Sequence, residues 1–322
     1  MPEGCRVLLH NDETEKQEAA LKSAFPQVEV QACNSFEALP EALAAFRPDA
    51  MYSVRFNPAP FPKEAVFGAD GPRWLANGGV GTDHLGQWDT ARITVTNAAG
   101  VASDMMAEYI LGGFLHFTLD VPGLQADKAA RHWDGARKMR PLKGRTLLIV
   151  GLGHTGRAVA ARAKAFGMHV IGTRARPREM ENVDEVHAAS DLAALLPRAD
   201  FIAVCTPLIA ETRGLIGAGE IAAMKPGVIL ADVSRGGVVD QAALGEALRA
   251  GHVGGAAVDV FETEPLPAES PLWGVENLVI SPHCSAVHDG WEVASFNLFL
   301  ENLGRFLEGR PLENVVDPAR GY

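Results

Sequence analysis

Long apolar runs are missing from this chain. None of its 322 residues falls in a stretch approaching eighteen consecutive apolar side chains, so no membrane-spanning helix is expected. The opening MPEGCRVLLH also lacks the basic segment followed by an apolar core that marks a secretory signal. Cysteine is sparse: Cys5, Cys33, Cys205 and Cys284 stand without CxxC spacing. That argues against a disulfide framework or a zinc site, and no metal is expected. Positive charge is short too, with 29 Lys and Arg against 40 Asp and Glu, a formal charge of −11. Such a surface repels nucleic acid and anionic membranes, so neither is an expected partner. These absences point to a reduced, cytoplasmic protein that handles any anion only in a locally positive cleft.

What is present is an alternation. Hydrophobic residues make up 47% of the chain, enough for two ordinary domains to bury their own cores. Short apolar runs at 7–9, 28–30, 50–54, 74–76 and 93–95 read as strands, with helical patterns at 14–25 and 36–46. Residues 98–119, rich in alanine and methionine, predict a long buried helix. A second series follows, with strands at 146–150, 168–172, 201–205, 228–231, 255–258 and 278–280. Helices are predicted at 155–166, at 240–250 with Asp240 as N-cap and Gly251 as stop, and at 291–307. This βαβα rhythm predicts an α/β protein with two doubly wound, parallel-sheet, Rossmann-like domains. One is expected to use residues 1–98 plus 288–322, the other residues 99–287.

The sharpest local signal is TLLIVGLGHTG, in which Gly151, Gly153 and Gly156 form G-x-G-x-x-G between an apolar strand and a helix. Gly151 permits the tight turn, Gly153 lets backbone approach a pyrophosphate, and Gly156 lets helix and strand pack closely. The free N–H groups of the helix start then face the diphosphate. Sites for NAD place an Asp or Glu about 20 residues further on, against the ribose 2′-hydroxyl. Here that place holds Thr173, Arg174 and Arg176, with Arg178 close behind. Arginine forms charge-assisted bonds to a 2′-phosphate that a carboxylate would repel, so NADP(H) is the preferred cofactor, with NAD(H) possible.

Three segments, ADVSRGGVVD, VDVFETEP and ISPHCSA, each follow a predicted strand. Loops at the C-terminal ends of strands meet in the ligand crevice of a doubly wound sheet, so Arg235, Glu264 and His283 are expected to converge. Together with GLGHTG and CTPLIAETRGLIG, these segments resemble the D-isomer-specific 2-hydroxyacid dehydrogenase family. Its members include glyoxylate/hydroxypyruvate reductases, D-lactate dehydrogenases and phosphoglycerate dehydrogenases.

The resemblance implies a role for each matched residue. Arg235 would grip the substrate carboxylate and polarise the keto oxygen. His283 would be the acid/base, Glu264 the carboxylate bonded to its imidazole, and Asp259 the residue that orients the nicotinamide amide. His154, Thr155, Thr206 and Pro207 would join the cofactor contacts. NGGVGTDHLG resembles the loop whose N–H groups, at Val80 and Gly81, bind the substrate carboxylate. Arg55, following a strand, offers a second positive contact. The resemblance further implies a flavodoxin-like substrate domain, an NADP-binding domain, an interdomain active-site cleft and a homodimer, with residues 101–140 packing against a second copy. Cys284 beside His283 suggests a Cys–His nucleophile, but the neighbouring motifs serve hydride transfer.

The chemistry asks for these residue types independently. Hydride addition to a ketone builds negative charge on oxygen, which a fixed cation stabilises and an imidazolium neutralises by giving up a proton. A small anionic 2-keto acid, glyoxylate or hydroxypyruvate for preference, and its D-2-hydroxy acid are therefore the expected partners. Two rivals use the same motifs. One is a phosphite- or formate-oxidising relative, though Glu264 stands where the formate type carries glutamine. The other is a dinucleotide-sensing protein like the family's co-repressors.

Overall fold

The computed structural model describes residues 4–12, 14–54 and 60–318. The chain divides into two compact units, Met1–Val101 with Asp289–Tyr322, and Ala102–His288.

The first unit opens with β1 (Arg6–His10), α1 (Glu15–Ala24), β2 (Glu29–Cys33) and α2 (Leu39–Phe46). It continues with β3 (Ala50–Ser53), α3 (Lys63–Val66), β4 (Trp74–Asn77) and β5 (Thr94–Thr96). The five strands pair in parallel in the order β2-β1-β3-β4-β5, the flavodoxin-like order. Such a sheet is covered on both faces, which is why β3 and β4 are buried at every position.

The second unit contains α4 (Ser103–Thr118), α5 (Val121–Ala130), β6 (Thr146–Val150), α6 (His154–Ala165), β7 (His169–Arg174) and β8 (Glu185–Ala188). After it come α7 (Leu192–Leu195), β9 (Phe201–Val204), α8 (Ala218–Ala223), β10 (Val228–Asp232), α9 (Gln241–Arg249), β11 (Val253–Val258) and β12 (Leu278–Ile280). Its parallel sheet runs β12-β11-β10-β9-β6-β7-β8. Strand order therefore reverses between β6 and β9, where a Rossmann sheet opens its crevice. Successive residues of β6 feed opposite faces: Leu147 and Ile149 enter one core, Leu148 and Val150 the other. Helix α4 lies unusually close to β11, since a Cβ on Gly113 would stand 2.7 Å from that of Ala257.

The last helix, α10 (Trp291–Leu307), returns to the first sheet. Phe296, Phe299, Leu303 and Leu307 recur at helical spacing and pack with Val7, Leu9 and Trp74. Beyond it the chain lies antiparallel along β5. Val315 bridges Thr96, Val316 N–H donates to Val95 O at 2.9 Å, and Asn97 N–H donates to Asn314 O at 3.1 Å.

Two expectations need correction. The helix predicted over 98–119 begins only at Ser103, because Gly100 takes φ +99°, outside helical space. Strand β8 and helices α3, α5, α7 and α8 were not foreseen, being short or without a clear apolar period. Asp240 does cap α9, its carboxylate accepting from Ala243 N–H at 3.0 Å, and Gly251 follows the helix with φ +72°.

Candidate active site

The glycine-rich turn leaves β6 at the point where strand order reverses. Gly151 has φ +101°, and a Cβ there would lie 3.1 Å from backbone atoms of Cys205 and Thr206, past the end of β9. A Cβ on Gly156 would stand 2.1 Å from Gly151 O, so only glycine lets α6 start this close to the strand. Gly153 differs: a side chain there would meet nothing within 4 Å, so the protein's own packing does not require glycine. No side chain caps α6, and its first intrahelical bond is donated by Arg157 N–H to Gly153 O. The N–H groups of Gly153, His154, Thr155 and Gly156 thus point outward as a ready anion cradle. Thr155 turns its hydroxyl to Met106 Sδ at 3.6 Å. Burial, then the nearby Arg157 charge, lowers the His154 pKa.

At the end of β7, Thr173 is buried, Arg174 half-buried and Arg176 and Arg178 exposed. Among the described residues, the only side-chain partner of these arginines is the Met180 sulfur, 3.3 Å from Arg174. No carboxylate neutralises them among the described residues. These groups fit a dinucleotide carrying an extra phosphate on its ribose.

The remaining loops adjoin one another in a row. The 205–217 segment is tied to the Arg235 loop: Gly214 N–H donates to Gly237 O at 2.8 Å and Ile216 N–H to Val238 O at 3.1 Å. Thr206 and Pro207 open that segment, and Thr212 Oγ donates to Pro207 O at 2.6 Å. Gly236 presses on the next loop, for a Cβ there would fall 2.0 Å from Phe261 O. Phe261 N–H donates to Glu264 Oε1 at 2.8 Å, and Glu264 Oε2 lies 2.8 Å from His283 Nδ1. The sequence signal for this convergence includes Gly236 itself, since any side chain would drive the Arg235 and Glu264 loops apart. The imidazole remains accessible, its side chain 40% exposed.

His283 is held in an unusual backbone state, with φ +53°. For a residue with a Cβ this costs about 1 kcal/mol or more and persists only where neighbours enforce it. Its N–H donates to Asp259 O at 2.9 Å, and the next two N–H groups, of Cys284 and Ser285, donate to the Asp259 carboxylate at 2.9 and 3.0 Å. Asp259 is only 1% exposed. The geometry therefore gives it a task within the protein, anchoring the His283 loop. Sequence reasoning missed Asp232, which ends β10 three residues before Arg235. It accepts from Ser234 N–H at 2.9 Å and Ser234 Oγ at 2.5 Å. Burial pushes its pKa up to about 7, with Asp259 adding to the rise and Ser234 and Arg235 opposing it.

In the first unit, the Val80–Gly81 loop is built from backbone. Asn77 Nδ2 donates to Gly79 O at 2.8 Å and Gly81 O at 3.0 Å, Asn97 Nδ2 to Val80 O at 2.8 Å, and Ala98 N–H to Gly79 O at 3.0 Å. With its carbonyls drawn back, the loop keeps the N–H groups of Val80 and Gly81 free of protein partners among the described residues. Neither asparagine was singled out from sequence. Phe61 stacks edge-on against His84, centroids 5.5 Å apart, and against Phe36 at 6.1 Å. Arg55 lies outside the described residues.

Comparison with known proteins gives consistent findings. The family model for the D-isomer specific 2-hydroxyacid dehydrogenase NAD binding domain matches residues 111–285. A D-3-phosphoglycerate dehydrogenase of Methanocaldococcus jannaschii is 36% identical over 259 residues, 79% of this chain; the chain spans only 49% of that protein. A glyoxylate reductase of Korarchaeum cryptofilum is 34% identical over 278 residues, 84% of this chain and 82% of its own. The solved NADPH-dependent glyoxylate/hydroxypyruvate reductase of Sinorhizobium meliloti, in complex with NADP and sulfate, superposes with a TM-score of 0.83. Its identity is 29%, and the match covers 99% of this chain and 100% of that one.

Proposed function

Because the chain belongs to the D-isomer specific 2-hydroxyacid dehydrogenase family, we propose that it is a cytoplasmic reductase converting a small 2-keto acid to the D-2-hydroxy acid, with NADP(H) preferred over NAD(H). Glyoxylate and hydroxypyruvate are the favoured substrates. The observation that carries this reading is the His283–Glu264 pair, 2.8 Å apart, closing a row of contiguous loops that starts at the glycine-rich turn.

Bound NADPH supplies the hydride. As charge grows on the keto oxygen, the Arg235 guanidinium stabilises it. Glu264 occupies Nδ1 of His283. That leaves Nε2 to give the proton that completes the hydroxyl. The N–H groups of Val80 and Gly81 receive the substrate carboxylate. Gly151, Gly153 and Gly156, with the N–H groups of His154 and Thr155, hold the pyrophosphate, and Thr206 and Pro207 border it. Thr173, Arg174 and Arg176 hold the 2′-phosphate. The names of the relatives favour neither the co-repressor nor the phosphite reading.

The chain is further read as a homodimer assembled through the region after α4. Helix α5 has no buried residue of its own, and Trp133 is 93% exposed. Exposed Leu119, Leu124 and Met139 lie in the same stretch of chain, and grouped apolar surface is what a second subunit commonly covers.

The test is NADPH oxidation across glyoxylate, hydroxypyruvate, pyruvate and bulkier 2-keto acids. The first two are expected to give the highest kcat/KM. Failure of all of them, with folded protein that binds NADPH, overturns the reading. Arg174→Asp is expected to shift the NADPH/NADH ratio of kcat/KM toward NADH by about tenfold or more, the worth of one charge-assisted bond.

A further inference from the structure

We propose that Tyr109 is a positioning residue for His283: acting through Ser281 and the Asp259 carboxylate, its hydroxyl fixes the loop that presents the imidazole. This rests on the function proposed above.

Tyr109 is on α4, 172 positions away from Ser281, yet its Oη lies 2.7 Å from Ser281 Oγ. Ser281 Oγ lies 2.5 Å from Asp259 Oδ1. The same Oδ1 accepts from Cys284 N–H, and Oδ2 accepts from Ser285 N–H. The bonds have a forced direction. Ser281 Oγ donates to Asp259 Oδ1 and so spends its one hydroxyl hydrogen there. Its oxygen then accepts from Tyr109, which must be the donor. Burial pushes the Tyr109 pKa up to about 12, so the phenol keeps that hydrogen throughout the neutral range.

The chain of bonds starts on a rigid element and ends on a strained one. Tyr109 precedes Gly113 by one helical turn and so shares its face of α4, the face that closes on β11 through Gly113 and Ala257. At the other end stands the left-handed His283, followed by the two N–H groups that Asp259 gathers. A buried tyrosine with a satisfied hydroxyl is ordinary. One whose hydroxyl leads by two bonds to the loop carrying an acid/base candidate has a mechanical role: it references the imidazole to the helix.

Tyr109→Phe keeps the ring and removes the donor. Its kcat for 2-keto acid reduction is expected to fall about tenfold, since displacement by a fraction of an ångström is enough for such a loss. KM and the Kd for NADPH should stay within about twofold, because the variant leaves the binding groups in place. Native-state hydrogen exchange at the Cys284 and Ser285 amides should accelerate about tenfold. Ser281→Ala should reproduce both effects and Ser281→Thr, which retains the hydroxyl, should restore them. In a His283→Ala background, Tyr109→Phe should change kcat no further, because its effect runs through the imidazole. Unchanged exchange and kcat in Tyr109→Phe overturns the proposal, as does an equal fractional loss in the His283→Ala background. If Tyr109→Phe does not fold, the Ser281→Ala and Ser281→Thr pair decides by the same readouts. A wild-type chain that reduces no 2-keto acid overturns the functional reading alone, and the exchange rates still decide whether Tyr109 holds the loop.

Discussion

The C-terminal strand ends of the two sheets are furnished differently. In the first unit, the loop at Val80 and Gly81 is a backbone device, its carbonyls held by the neutral amides of Asn77 and Asn97. In the same sheet, His10 at the end of β1 is 3% exposed and bonded through Nδ1 to Ser53 Oγ at 2.9 Å. Burial holds its pKa down to about 4, so it stays neutral at physiological pH. In the second unit the corresponding loops carry Asp232, Arg235, Asp259, Glu264 and His283. On the proposed function, the contrast separates two tasks. Fixed dipoles hold an anion at any pH, whereas moving a proton requires groups that titrate.

The hardest blow to this division would come from His283→Ala. The variant is expected to lose kcat by about 100-fold or more while retaining NADPH affinity. Retention of more than roughly a tenth of the activity would remove proton transfer from the second unit's loops.

The buried ionisable groups give a second test, because their signs are opposite. His10 takes up a proton at about 6.5 when unfolded and at about 4 when folded. Its stability contribution is therefore complete above pH 6.5 and lost as pH falls toward 4, about 3 kcal/mol in all. Asp232 is raised from 3.8 to about 7, so the folded state is penalised as pH climbs from about 4 to 7, by about 4 kcal/mol. Because the two windows overlap and oppose each other, urea unfolding from pH 4 to 8 should show stability falling toward about pH 7 in His10→Gln, where only Asp232 remains, and rising up to about pH 6.5 in Asp232→Asn, where only His10 remains. Profiles parallel to wild type would mean that neither group titrates as described.

The smallest effect concerns the backbone device. Asn97→Ala frees the Val80 carbonyl, and KM for the keto acid is expected to rise about fivefold with little change in kcat, the worth of one hydrogen bond. A fall in kcat alone would show that the loop positions the reacting carbon instead of binding the carboxylate.

The alternation of strands and helices was legible because parallel strands buried on both faces read as short apolar runs, as 146–150 and 228–231 do. Strand β8 was not, since Glu185, Val186, His187 and Ala188 are all half-exposed at the sheet edge and show neither an apolar run nor a clean alternation. The meeting of the Glu264 and His283 loops was legible from two short motifs, each past a strand. Asp232 was hidden in the Arg235 motif as its least conspicuous member. Asn77 and Asn97 act by hydrogen-bonding backbone a few residues or a whole crossover away, and nothing in composition distinguishes such amides from surface ones. Tyr109 had no signal at all, because its partner lies on the far side of a sheet's worth of chain.

The segment around residue 314 laces down the margin of the first sheet, and there Asn314 Nδ2 donates to Ala99 O at 2.8 Å and approaches Asn97 O at 3.3 Å. Asn97 is the residue that retracts the Val80 carbonyl. Clipping or tagging the chain upstream of that point would do more than bare an edge to unwanted pairing. It would slacken the Val80–Gly81 loop from more than two hundred positions away, so that, on the proposed function, affinity for the keto acid becomes a gauge of whether the tail is seated.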